Sequence, residues 1–239
     1  MNLLRKIITK TKRVKFFISL RMLYRSFGQN KKAIDAENFW KNKTNDKHEY
    51  GKLLLEDVKS TFGKNNVKSV IEFGANSGQN LEWFQDSYPG IKLTGIDINK
   101  VVKNPETKWS NYKGIIGNQN ILKSLENNSF DIAFTMSVLD HIGKRDEVIL
   151  AINELSRISN KLYLLEPYIE GVDGDVSNLT RAEVKEGLPN PRKIFAKHSY
   201  LWNYYDIFDS LNLSVKSKKM PLHIHSLGPF YYLFEVNKF

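Results

Sequence analysis

The sequence predicts an α/β fold built on a mostly parallel sheet with helices on both faces. Two observations carry this. From residue 68 onward, short apolar runs alternate with longer stretches of helical spacing. The five runs up to residue 167 are mostly apolar, as in strands covered on both sides. A third observation closes the sheet. The last two runs, LNLSVKS (211–217) and FYYLFEV (230–236), follow each other across a short loop, as in an antiparallel hairpin.

The elements follow in order. Residues 1–34 hold 10 of the 36 basic residues and no acid, so the remaining 26 basic residues balance all 26 acids. The net charge of +10 therefore belongs to an arm, and the body from Asp35 onward is formally neutral. On a helical wheel Leu3, Leu4, Ile7, Ile8, Val14, Ile18 and Met22 share one side, and Lys6, Lys10, Lys12 and Arg13 fall largely opposite. Such a basic amphipathic helix suits contact with an anionic membrane surface through residues 1–30, or packing on the body or on a second subunit. Residues 29–47 are polar around Phe39-Trp40 and connect arm to body. Leu53, Leu54, Leu55 and Val58 mark a helix over 49–61. Then come strands KSVIEF (68–73), IKLTGI (91–96), KGIIG (113–117), FDIAFTM (130–136) and KLYLLEP (161–167), with helices at 78–88, 144–159 and about 196–210. Residues 168–195, with Gly171, Gly174, Gly187, Pro189 and Pro191, read as a lid inserted after the fifth strand. This gives an arm (1–34) and one catalytic-size domain (35–239).

Composition narrows the function. The chain of 239 residues has no Cys, which excludes disulfide scaffolds, thiolate nucleophiles, thiolate zinc sites and iron–sulfur clusters. No apolar run approaches the ~20 residues of a membrane-spanning helix. A location in the cytoplasm, peripheral at the inner membrane through the arm, is expected. The neutral body argues against a nucleic-acid partner.

The most specific stretch is Val70-Ile71-Glu72-Phe73-Gly74-Ala75-Asn76-Ser77-Gly78-Gln79-Asn80. A strand ends in an acid, turns through glycines and opens a helix. Gly74 and Gly78 permit positive φ and close backbone approach to a ligand, and the helix start presents free N–H groups. Nineteen residues after Gly78, Asp97 ends the next strand, where an acid can accept hydrogen bonds from both ribose hydroxyls. The alternative for Asp97 is a helix N-cap or a solvated loop acid. Together the two features favour an adenosine-type cofactor at the carboxyl ends of the strands.

On these residues the chain resembles the class I S-adenosylmethionine-dependent methyltransferases across about 65–236. Glu72, Gly74 and Gly78 match the acid and glycines of that family's first motif, and Asp97 its ribose-binding acid. Gly117-Asn118 is similar to the Gly-Asp that meets adenine, and FDIAFTMSVLDHI to the fourth-strand motif with Val-Leu-x-His. The resemblance implies a Rossmann-like seven-stranded sheet and S-adenosylmethionine as cofactor. It places Glu72, Gly74, Asn76, Gly78, Asp97, Ile98, Gly117, Asn118, Thr135 and Met136 at the cofactor. Asn76 stands where the family has its middle glycine, and Asn tolerates left-handed φ. Asn118 stands for the usual Asp, and its amide oxygen can still meet the adenine amino group. Ile98, Ile121 and Leu122 are either walls for adenine or core.

Catalytic candidates lie after the fourth and fifth strands: His141 beside Asp140, Glu166 with Tyr168, and His198 with Tyr200 and Trp202. His141 is nearest in unperturbed pKa to working pH. His223 and His225 share a face if extended, but no carboxylate lies near them in sequence, so no metal site is assigned. Trp40 and Tyr50 flank a segment that covers the active site in related enzymes or packs in the core. FWKNK (39–43) ahead of the glycine motif is similar to bacterial methyltransferases of surface-polysaccharide and nonulosonic-acid clusters. That likeness implies a small-molecule or sugar-type acceptor. The alternatives are an RNA or protein methyltransferase, a non-catalytic cofactor-binding domain, or a nicotinamide oxidoreductase.

Overall fold

The computed structural model describes residues 49–63, 66–175, 199–220 and 231–238. The arm, Trp40, His198, His223, His225 and most of the 168–195 insertion lie outside the described residues. A helix α1 (Glu49–Phe62) precedes β1 (Ser69–Phe73), α2 (Leu81–Ser87), β2 (Lys92–Asp97) and β3 (Tyr112–Ile116). Then follow β4 (Phe130–Met136), α3 (Arg145–Ile158), β5 (Ser159–Pro167), the short β6 (Gly174–Asp175) and β7 (Tyr200–Leu201), α4 (Tyr204–Ser210), β8 (Leu213–Lys219) and β9 (Tyr231–Lys238).

Seven strands form one sheet in the order β3-β2-β1-β4-β5-β9-β8. The pairs among β1 to β5 are parallel, and β9 runs antiparallel to both β5 and β8. The mostly parallel sheet and its closing hairpin are as the apolar runs predicted. Strand order reverses between β1 and β4, so the crevice for a ligand opens outside the carboxyl ends of these two strands.

Both faces of the central strands are covered, which is why β1, β4 and β5 are apolar almost throughout, whereas the edge strand β8 is exposed from Lys216 onward. On one face Leu54, Leu55 and Val58 of α1 and Leu81 and Phe84 of α2 pack on Val70, Leu93, Ile132 and Phe134. On the other, Val148, Ala151, Ile152 and Leu155 of α3 and Ile207 and Phe208 of α4 pack on Ile71, Ile96, Ala133 and Leu164. Phe84 is fully buried and stacks on Phe134 with ring centres 5.5 Å apart. Its truncation to Ala would cost about 3–5 kcal/mol.

Two expectations on helices are corrected. The helix expected over 78–88 spans only Leu81–Ser87, because residues 74–80 form the glycine turn. The helix expected over about 196–210 starts at Tyr204. Before it, Tyr200–Leu201 is extended and pairs with Gly174–Asp175. This clasp is held by Asn203 N donating to Asp173 Oδ1 at 2.9 Å and by an Arg145–Asp173 ion pair at 3.6 Å. Finally, the connections after β2 and β3 hold 3-10 helices, Lys100–Thr107 and Gln119–Ser124, and Pro105 inside the first cannot donate to an α-helical ladder.

Candidate cofactor and acceptor site

At the end of β1 the backbone reverses. Gly74 N and Ala75 N both donate to Ile96 O, at 2.7 and 3.0 Å, which ties the turn to β2. Gly74 has φ 83°, and a Cβ there would fall 2.1 Å from Val138 Cγ2. Glycine is thus required both for its dihedral and for the approach of the segment after β4. Asn76 adopts φ 45°, and its Oδ1 accepts from Ser77 N at 2.9 Å. Its left-handed backbone shows how an asparagine serves at a position where the resembled family has glycine.

The turn is organised by two acids. Asp97 Oδ2 accepts from Asn76 N and Oδ1 from Asn99 N, each at 2.7 Å. Asp97 is half-buried, and desolvation raises its pKa against the lowering effect of these amides. The Ile98 amide donates to the carboxylate as well, which leaves acceptor capacity beyond these three amides. Glu72 is fully buried on the α1–α2 face, where Asn80 Nδ2 donates to its Oε1 at 2.7 Å. Burial pushes the Glu72 carboxyl up to about 8, with the nearby Asp97 charge a smaller contribution of the same sign. Glu72 Oε2 and Asn80 Oδ1 are buried without a donor. Two orphaned acceptors at the foot of a glycine turn are costly unless something donates to them.

On the β3 side, Gly117 N donates to Asp97 O at 2.9 Å, and a Cβ on Gly117 would press on Ile121. Asn118 Oδ1, the atom expected to meet adenine, caps the next turn by accepting from Asn120 N at 3.1 Å. Ile98 and Ile121 are half-buried, whereas Leu122 is wholly buried and belongs to the core.

After β4 the picture departs from expectation. Thr135 is fully buried and donates to Glu166 Oε1 at 2.7 Å; Met136 is packed in the core with Leu165 and Tyr231. Both side chains are buried in the protein. Glu166, expected to face an acceptor, has no exposed surface. Both of its oxygens accept from Val138 N at 3.1 Å, and the Leu139 amide also donates. The physical reason is shared by Thr135 and Glu166: at these strand ends the α3–α4 face is still interior, whereas Met136 is covered on the α1–α2 face. Tyr200 and Trp202 are likewise buried, stacked at 5.9 Å, with the Trp202 indole N–H donating to Leu139 O at 2.9 Å. Tyr168 stands edge-on to Tyr205, Tyr232 and Phe234.

His141 keeps partial exposure, its Nε2 3.7 Å from Asp140 Oδ2. Ser137, between Met136 and Val138, holds a left-handed φ of 53° and shares a hydrogen bond with the Tyr231 hydroxyl. Ser137, Tyr204 and Tyr231 were given no role from the sequence, nor was Asn80, though it was read as part of the motif. Only Asn80 carried a signal, lying within the motif itself.

Comparison with known proteins agrees with the geometry. A family model described as a methyltransferase domain matches residues 46–187. No curated protein matches the chain in sequence. Among solved structures, it is similar to 1,6-didemethyltoxoflavin-N1-methyltransferase of Burkholderia thailandensis with bound 1,6-didemethyltoxoflavin and S-adenosylhomocysteine (TM-score 0.59, 13% identity, 94% of this chain and 89% of that one). It is also similar to a putative sarcosine dimethylglycine methyltransferase of Galdieria sulphuraria (0.56, 13%, 78% and 84%). An O-methyltransferase family protein of Burkholderia thailandensis matches at 0.54 and 14% over 78% of this chain, which spans 55% of that longer one. The sheet order, the glycine turn and the matched family model together show that the chain belongs to the methyltransferase domain family and is an S-adenosylmethionine-dependent methyltransferase.

Proposed function

We propose that this methyltransferase acts on a small-molecule or sugar-type acceptor, with Glu72, the 74–78 turn and Asp97 holding the cofactor. The observation that carries the cofactor assignment is the pair of orphaned oxygens, Glu72 Oε2 and Asn80 Oδ1. An α-ammonium is the donor that satisfies both and lets Glu72 ionise. Asp97 takes the ribose hydroxyls on its open acceptor sites, while Ile98 and Gly117-Asn118 border the adenine. The bound cofactor supplies an electrophilic methyl carbon and a good leaving group. The chain's own part is to align the acceptor and exclude water. For a hydroxyl or amine acceptor, we assign the released proton to His141, a reading supported by its partial exposure beside Asp140 in the turn after β4.

Two observations favour a small acceptor. The body is charge-neutral and offers no excess of basic residues for RNA. Two of the similar structures carry the names of small-molecule methyltransferases. The FWKNK segment and the basic arm extend this to a glycoconjugate at an anionic membrane surface. The test is incubation of the protein with methyl-labelled S-adenosylmethionine and fractionated bacterial extract. Label in the sugar-nucleotide, glycolipid or other small-molecule fraction is expected. Label confined to RNA or protein would overturn the acceptor assignment.

A further inference from the structure

The first turn of α1 carries a buried glycine, Gly51, whose φ is not positive. Its backbone therefore makes no demand for glycine. Glycine is also the weakest helix former after proline, so a buried helical position of this kind favours alanine unless space forbids it. Here space does forbid it. A Cβ on Gly51 would lie 2.8 Å from Trp83 Cδ1, 3.2 Å from Trp83 Nε1 and 3.2 Å from Asn80 Oδ1. The missing side chain lets α1 rest directly on Asn80, which precedes α2, and on Trp83 within it.

The neighbour is more than packing. Asn80 is 9% exposed, and its Nδ2 donates to Glu72 Oε1 at 2.7 Å. Its Oδ1, the atom that the absent Cβ would press, is the buried acceptor without a donor. A methyl group at that distance either displaces the Asn80 amide from Glu72 or covers Oδ1 against a donor.

We propose that Gly51 is a specificity-determining position of the methyl donor's amino-acid subsite, its bare Cα keeping Asn80 Oδ1 open to the α-ammonium. This rests on the ammonium reading given under Proposed function. The first turn of α1 is then a third wall of that subsite, beside Glu72 of β1 and Asn80. The adenosine end is assigned to Asp97 and Gly117-Asn118, away from this contact. Gly51 therefore governs affinity for a ligand that has the amino-acid group and not for one that lacks it.

The test compares S-adenosylhomocysteine with 5′-methylthioadenosine, which shares the adenosine and the thioether but has no amino-acid group. Calorimetry on the full chain should show the wild type binding S-adenosylhomocysteine the more tightly. Gly51→Ala should weaken S-adenosylhomocysteine at least about tenfold and leave 5′-methylthioadenosine within about twofold. A purely structural disturbance would weaken both ligands alike. A second measurement uses the wild type alone, should the variant fail to fold. Tyr50-Gly51 is the only Tyr-Gly pair among the 14 glycines, so labelling tyrosine at ¹³C′ and glycine at ¹⁵N isolates the Gly51 amide resonance. S-adenosylhomocysteine should shift that resonance and 5′-methylthioadenosine should leave it in place. Equal weakening of both ligands in Gly51→Ala, weakening of neither, or a Gly51 amide unmoved by S-adenosylhomocysteine overturns the proposal. A wild type that binds S-adenosylhomocysteine no more tightly than 5′-methylthioadenosine sinks the ammonium reading of Glu72 and Asn80. A wild-type preference that Gly51→Ala retains in full sinks the Gly51 assignment alone.

Discussion

Replacing Glu72 by Gln should stabilise the protein and weaken cofactor binding at once. Glu72 is held at a pKa of about 8 by burial, against an ordinary value of 4.5. Between those two values the folded chain keeps a proton that the unfolded chain has released. Stability from this residue therefore falls as pH rises from about 4.5 and levels off above about 8. At pH 7 the cost is about 3 kcal/mol. Gln releases no proton in either state, so Glu72→Gln should match the wild type near pH 4.5 and gain up to about 3 kcal/mol by pH 7. For a chain of this size that is about 6–12 °C in Tm. The same change removes the charge that an ammonium needs, so S-adenosylhomocysteine should bind about 10–100-fold more weakly at pH 8. Wild-type binding at pH 7 should also release close to one proton, seen as a buffer-dependent enthalpy, and the variant should release none. The assays are thermal unfolding across pH 4.5–8.5 and calorimetry in two buffers. Parallel Tm profiles for variant and wild type would refute the reasoning.

Other outcomes follow from the same geometry. Asp97→Ala removes the acceptor of the Asn76 and Asn99 amides as well as the ribose partner. It should lower S-adenosylhomocysteine affinity at least 100-fold with the circular dichroism unchanged; unaltered affinity would contradict the ribose role. Asn76→Gly should change stability by less than about 1 kcal/mol, since relief of the left-handed φ offsets loss of the Oδ1–Ser77 bond. It should leave binding within a few-fold, because Asp97 is held by the backbone of residue 76; urea denaturation and calorimetry check both. Deleting residues 1–30 removes eight basic residues. It should reduce association with anionic vesicles at least tenfold while sparing cofactor binding. Equal association of the shortened protein would remove the membrane assignment.

How much of this was legible in the sequence depends on which face a residue serves. The short runs located all seven strands of the main sheet; for the central ones this is because burial on both faces demands continuous hydrophobicity, while the exposed edge strand β8 shows as an alternating run. The same continuity hid the orientation of polar residues at strand ends. With no alternation to read, Thr135 and Glu166 could point to the crevice or to the interior, and both point to the interior. Glu72 was legible for the opposite reason: an acid in SVIEF interrupts an apolar strand and must have a purpose there. The glycine turn was read correctly, but its length was charged to the following helix. The extended pair at Tyr200–Leu201 was invisible because its partner, Gly174–Asp175, lies across the insertion.

The central claim is that one pocket, bounded by Glu72, Asn80, the 74–78 turn and Asp97, receives the methyl donor. A crystal structure with S-adenosylhomocysteine tests it most directly. The account predicts the amino group of the ligand within hydrogen-bond distance of Glu72 Oε2 and Asn80 Oδ1, and the ribose hydroxyls on Asp97. A bound ligand that leaves those two orphaned oxygens without a donor and touches Asp97 nowhere would contradict it.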